Sequence, residues 1–116
     1  MAPVETRERA LVLSVRAFIE ERLGDPALAP PMIAAAHHVS LRYLHKLFES
    51  QQTTVAALIR ERRLERCRRD MLDPALRAQP VSAIAARWGL TNPAHFSRLF
   101  RAAYGSAPAE FRALAA

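Results

Sequence analysis

The chain has 116 residues, 51% of them hydrophobic, with a single cysteine and a formal charge of +6. That length suits one compact unit or two very small subdomains sharing a helix. One cysteine excludes an intrachain disulfide, and no apolar run is long enough to cross a bilayer.

The charge is unevenly placed. Residues 1–41 hold four arginines against five acids, whereas residues 42–116 hold thirteen Arg or Lys against six. A basic half of that kind points to a polyanion, nucleic acid above all, with a merely solvated basic surface as the bland alternative. The N-terminus lacks the basic-then-apolar layout of a signal peptide, and the lone thiol is consistent with a reducing cytoplasm.

In chain order, Met1 to Val4 reads as a frayed end. Leu11, Val15, Phe18, Ile19 and Leu23 follow a 3.6-residue period, predicting a first helix from Glu5 to Leu23, with Glu5 and Glu8 near its positive end. Gly24 and Asp25-Pro26 stop it. A second helix is expected from about Pro31 to His37, although Ala29 supplies no capping side chain. His37-His38-Val39 makes a turn, with His38 held near the left-handed region. Ser40 then caps a third helix, Leu41 to about Ser50, with Leu44, Leu47 and Phe48 inward and Arg42, His45, Lys46 and Glu49 outward.

A long fourth helix is predicted over Thr54–Leu72. Val55, Leu58 and Ile59 belong with the first half, and Leu64, Cys67 and Met71 with the second. Its six arginines, Arg60 to Arg69, read as solvated or paired with Glu61 and Glu65, some of them near phosphate. Asp73-Pro74 through Gln79-Pro80 reads as a flexible loop. A fifth helix, Val81 to Trp88, runs into Gly89, which readily takes the positive φ of a tight turn. Asn92-Pro93 opens a sixth helix ending at Tyr104, because Asn caps well and Pro suits the first helical position. Phe96, Leu99 and Phe100 face inward, leaving His95, Ser97, Arg98 and Arg101 outside. Gly105 closes it, and Pro108 begins a short last helix with Glu110, Phe111 and Arg112.

Helix, short turn, and helix with a basic outer face is the helix-turn-helix pattern, and it occurs twice. Sliding by 51 residues lays IAAAHHVS (Ile33 to Ser40) on IAARWGLT (Ile84 to Thr91). With one extra residue in the second copy, YLHKLF falls on HFSRLF, so Leu44 matches Phe96, Phe48 matches Phe100, and Lys46 matches Arg98. Packing alone does not explain why a cation is kept at one outward position.

The stretch Ile84 to Arg112, IAARWGLTNPAHFSRLFRAAYGSAPAEFR, resembles the signature of the AraC/XylS family of bacterial transcription regulators. It has Ile-Ala before a glycine turn, Phe-Ser-Arg-x-Phe in the helix, Gly-x-x-Pro, and an aromatic-Arg pair. The resemblance covers roughly Ala10 to Ala113. It implies an all-α fold of seven helices forming two helix-turn-helix subdomains (residues 5–53 and 73–116) joined by a long linker helix (54–72). It also implies two recognition helices entering successive major-groove segments of double-stranded DNA, roughly 34–36 Å apart along one face.

Carried over by position, the base-facing residues are Arg42, His45 and Lys46 in the first unit, and Asn92, Pro93, His95 and Arg98 in the second, with Ser97 adjacent. Ser40, Arg60, Thr91, Arg101 and Arg112 fall where phosphate is contacted, which sets position rather than sequence. The chain departs from the family pattern at His38, in the glycine-free loop before Thr54, and at Pro93-Ala94, where polar readers are common. The second unit is therefore expected to read fewer bases, through Arg98 and DNA shape.

The expected function is sequence-specific transcription regulation, as an activator working in the cytoplasm at the nucleoid, with RNA polymerase as a further partner. The effector-binding and dimerisation domain common in the family is expected to be absent here, an excised C-terminal domain of a longer regulator being favoured over a stand-alone regulator controlled by its abundance. Competing readings are a basic RNA-binding module and a protein-interaction domain whose Arg-rich helix docks an acidic partner. Trp88, Phe96 and Phe100 read as core and Cys67 as a buried thiol. His37, His38 and His45 lack a Cys or carboxylate to complete a metal set, so neither metal nor cofactor is expected. No catalytic constellation occurs, and the chain is not expected to be an enzyme.

Overall fold

The computed structural model describes residues 3–115, so the frayed end expected at Met1 and Ala2 lies outside them. Val4, included in that expectation, is helical. The described residues form seven α-helices and no strand: α1 (Val4–Glu21), α2 (Pro30–Ala36), α3 (Leu41–Glu49), α4 (Val55–Met71), α5 (Val81–Arg87), α6 (Pro93–Tyr104) and α7 (Pro108–Ala115). None is long and apolar enough to cross a membrane.

The chain divides into two compact units. One holds the residues through Leu23 together with Ala27–Arg60; the other holds Gly24–Pro26 and the chain from Glu61 onward. The division falls within α4, between Arg60 and Glu61, with Val55, Leu58 and Ile59 on one side and Leu64, Cys67 and Met71 on the other.

In the first unit, α1 buries Val12, Val15 and Ile19, with Leu23 just beyond it. Leu11 and Phe18, expected in that stripe, are only half-buried at its margins. Ile33 and Ala34 of α2, Leu44, Leu47 and Phe48 of α3, and Val55, Leu58 and Ile59 of α4 are buried as well. His37 is committed internally: its Nδ1 donates to the Ile33 carbonyl at 2.8 Å, and its ring meets the Phe18 ring edge-on at 5.2 Å. Thr54 caps α4 by accepting from the Ala57 N–H at 3.0 Å. In the glycine-free loop before it, Gln52 takes the left-handed conformation, with φ of 56°.

The helix α1 ends at Glu21, short of the expected Leu23, and Gly24 has a different use from the one expected. A Cβ on Gly24 would lie 2.9 Å from the Arg87 carbonyl oxygen, so the glycine permits a close backbone approach inside the second unit.

The second unit is built on Leu64, Cys67 and Met71 of α4, Ile84 and Ala85 of α5, Leu90, and Phe96 and Phe100 of α6. Phe100 lies 4.7 Å from the Tyr104 ring and 5.4 Å from that of Phe111, centroid to centroid, which docks α7. Burial, with Asp70 nearby, pushes the Cys67 thiol up to about 12. The φ of 84° at Gly105 lets its N–H close α6 on the Arg101 carbonyl at 2.8 Å.

Two expectations about polar groups change. The segment from Asp73 to Pro80 is tied down. Asp73 caps a 3₁₀ turn at Pro74–Leu76, and Arg112 donates to the carbonyls of Leu76 at 2.7 Å, Arg77 at 3.2 Å and also Gln79. The second change concerns the α4 arginines, which are largely engaged. Arg63 is 8% exposed and donates to the Asp25 carbonyl at 2.6 Å, and its burial lowers its pKa. Arg66 and Arg69 lie over the Trp88 ring, Arg68 over Tyr104 and Phe111, and Arg62 pairs with Glu65.

Candidate nucleic-acid interface

Each unit contains the same local device, built twice from different residues. After α2, Val39 donates to the Ala34 carbonyl at 3.0 Å and His38 to that of Ala35 at 3.2 Å; after α5, Leu90 donates to Ala85 at 3.0 Å and Gly89 to Ala86 at 3.1 Å. These are paired Schellman closures, and each requires a left-handed residue. Gly89 supplies it with φ of 82°, and His38 with φ of 57° despite its Cβ.

The extra residue in the second turn is absorbed before the next helix begins. Ser40 Oγ accepts from the Tyr43 N–H at 3.0 Å, and Asn92 Oδ1 accepts from the His95 N–H at 3.0 Å. The cap in the second unit is thus Asn92, and Thr91 is the inserted residue. From the caps onward the helices stay in register with an offset of 52, so Arg42 corresponds to Ala94, Tyr43 to His95, His45 to Ser97, and Glu49 to Arg101.

On α3, the buried Leu44, Leu47 and Phe48 leave Arg42, His45 and Lys46 exposed on the opposite side. These three line a shallow open depression of about 780 Å³ together with Leu41 and Glu49. Tyr43, 39% exposed on the same first turn, was missed as a candidate. Its outward register relative to Leu44 and Leu47 was the available signal.

On α6, Phe96 and Phe100 are buried, and Pro93, Ala94, His95, Ser97, Arg98 and Arg101 are exposed. Asn92 is exposed too, but its side-chain oxygen is taken by the cap, which leaves its amide N–H groups for a ligand. Ser40 is in a similar position: its oxygen accepts the cap bond while its hydroxyl hydrogen can still donate.

Some cations are engaged within the fold and others are not, Arg7, Arg9 and Arg77 being exposed as well. Arg42, Lys46, Arg60, Arg98 and Arg101 are exposed, and their side chains make no hydrogen bond or ion pair among the described residues. By contrast, Arg63, Arg69, Arg87 and Arg112 are drawn into the second unit. Arg112, expected at phosphate, is turned onto the 76–79 backbone, because its guanidinium fork matches the converging carbonyls there. Each recognition-type helix thus presents unengaged donors on a rigid, capped frame, suited to bidentate bonds with guanine or to phosphate contacts.

A helix-turn-helix domain model matches residues 33–114. The chain is 42% identical over 98 residues to the transcriptional activator NphR of Rhodococcus sp., covering 84% of this chain and 28% of that relative. The chain therefore spans well under half of that protein. In fold it is similar to the C-terminal domain of AraT, a response regulator from Geobacillus stearothermophilus, with TM-score 0.83 and 24% identity over 90% of this chain and 84% of that one. It is also similar to a transcriptional regulator described by its AraC-type DNA-binding domain, from Chromobacterium violaceum. There the TM-score is 0.81 and the identity 24%, covering 96% of each chain.

Proposed function

The chain belongs to the AraC-type helix-turn-helix family, and on that premise we propose that it is a sequence-specific, double-stranded-DNA-binding module of a bacterial transcription activator. The observation that carries this reading is the division of the cations. Donors on α3 and α6 are left without intramolecular partners while neighbouring arginines are locked into the fold. A merely solvated basic surface gives no reason for Lys46 and Arg98 to fall in register on two capped helices. NphR is named as a transcriptional activator, which supports activation over repression.

In this reading α3 and α6 enter successive major-groove segments. Arg42, His45 and Lys46 read bases in the first, with Arg42 placed for the O6/N7 edge of guanine. Arg98, with His95, Ser97, Asn92 and Pro93 around it, reads the second. Ser40, Thr91, Arg60 and Arg101 hold phosphate and set the register. Arg112 leaves that group and serves the fold. The protein works without catalysis, in the cytoplasm where the chromosome lies, and recruits RNA polymerase as its further partner.

Selection of bound duplexes from a random library, at near-physiological salt, tests the proposal. Two short enriched motifs about 10 base pairs apart are expected, and Arg98→Ala should relax one of them only. Binding without enrichment that fades steeply as salt rises would overturn it, since phosphate attraction alone behaves that way.

A further inference from the structure

The two recognition faces differ at their first turns. Where α3 carries Arg42, α6 carries Ala94, and beside it Pro93 stands where α3 has Leu41. Both Ala94 and Pro93 are exposed on the first turn of α6, with Arg98 one turn further along the same face. The Asn92 cap fixes that turn. Helical Cβ atoms tilt toward the N-terminus, the end that meets base edges when such a helix docks.

Alanine in that place can neither donate nor accept a hydrogen bond; it offers only a methyl group. It leaves no polar group of its own unpaired when water is expelled. The major groove displays one matching apolar feature, the C5-methyl of thymine. We infer that the second unit reads a thymine by apolar contact between its methyl group and Ala94, flanked by the Pro93 ring, beside the base that Arg98 reads. The inference rests on the DNA-reading function proposed above and names the chemistry of its second half-site. Pro93-Ala94 is then a reader of a different kind, and not a gap in recognition.

The test replaces each thymine of the second motif in turn by deoxyuridine, which pairs identically but lacks the methyl group. Wild-type protein should lose about fourfold in affinity at one position, the worth of one buried methyl group. Ala94→Gly should be indifferent to that replacement. Because glycine loosens a helical turn, Ala94→Gln, which keeps a good helix former, is run beside it and should be equally indifferent. Arg98→Ala should weaken binding yet keep the sensitivity to uracil.

A second motif without thymine, uracil that is neutral at every position, or an undiminished uracil effect in both Ala94 variants would each overturn the inference. Two enriched motifs with a uracil-insensitive second half would overturn it while leaving the proposed function standing. Failure to enrich any motif is the outcome that overturns both.

Discussion

Trp88 donates its indole N–H to Asp70 Oδ2 across 2.7 Å, and Asp70, on α4, is only 5% exposed. The bond ties the end of α5, where the second turn begins, to the helix that underlies it. Arg69 and Arg87 approach the same carboxylate at 3.3 and 3.7 Å, but both are substantially exposed, and their screened attraction contributes little beside the indole bond.

Trp88→Phe should therefore cost about 1–3 kcal/mol, because a buried carboxylate loses its best donor and the smaller ring packs less well on the core. Urea unfolding followed by circular dichroism measures this. A change within about 0.5 kcal/mol, the range of ordinary surface substitutions, would mean that the arginines alone satisfy Asp70.

Arg112→Ala and Arg60→Ala should separate a structural arginine from a phosphate-binding one. The first releases the carbonyls of Leu76, Arg77 and Gln79 and should speed hydrogen exchange across 74–80, with about 1–3 kcal/mol lost in stability. It should leave the salt dependence of DNA binding unchanged. Arg60→Ala should do the reverse, flattening the slope of log affinity against log salt by about one unit at constant stability. Titrations at several salt concentrations decide between them.

His38→Gly should raise the melting temperature. A left-handed φ of 57° carries a cost of roughly 1–2 kcal/mol for a residue with a Cβ, and glycine removes it while giving back part through the flexibility of the unfolded chain. Gly89→Ala, at φ 82°, should lower it. Opposite signs in two thermal melts are the expected pair of results.

The Cys67 thiol has its pKa raised from an ordinary 9.0 to about 12. Between those values the unfolded chain has released the proton and the folded one still holds it, so this group's contribution to stability is lost as pH rises through that window. The slope should be about −1.4 kcal/mol per pH unit from this group, absent in Cys67→Ala. Native protein should also resist alkylation near pH 8 and react promptly in urea. Fast labelling without denaturant would contradict the burial.

The helix pairs, the cap at Ser40, the left-handed His38 and the inward stripe of Phe96 and Phe100 were legible in the sequence, because each depends on neighbours within a few residues. The repeat made the outward faces legible too, by aligning Lys46 with Arg98. What escaped was long-range. Gly24 reads locally as a helix stop because its neighbour, the Arg87 carbonyl, is far away in the chain. Arg63 and Arg112 read as solvent- or phosphate-facing, since nothing local announces backbone carbonyls 38 and 33 residues away. The end of α1 at Glu21 shows a smaller limit, that apolar periodicity continues past the last helical hydrogen bond.

The placement of the two caps also decides where the molecule can be cut and recombined. Ser40 and Asn92 start their helices with the same bond, although the turns before them differ by one residue. A chimera that moves the outer face of α3 onto the frame of α6, or the reverse, should therefore be joined at the cap rather than at the turn glycine or its histidine counterpart. Joined there, the transplanted face keeps its rotation about the helix axis. Joined at the turn without correcting for Thr91, every outward side chain would be rotated by about 100° and the core stripe lost. The inserted threonine makes the two halves modular only from one boundary onward.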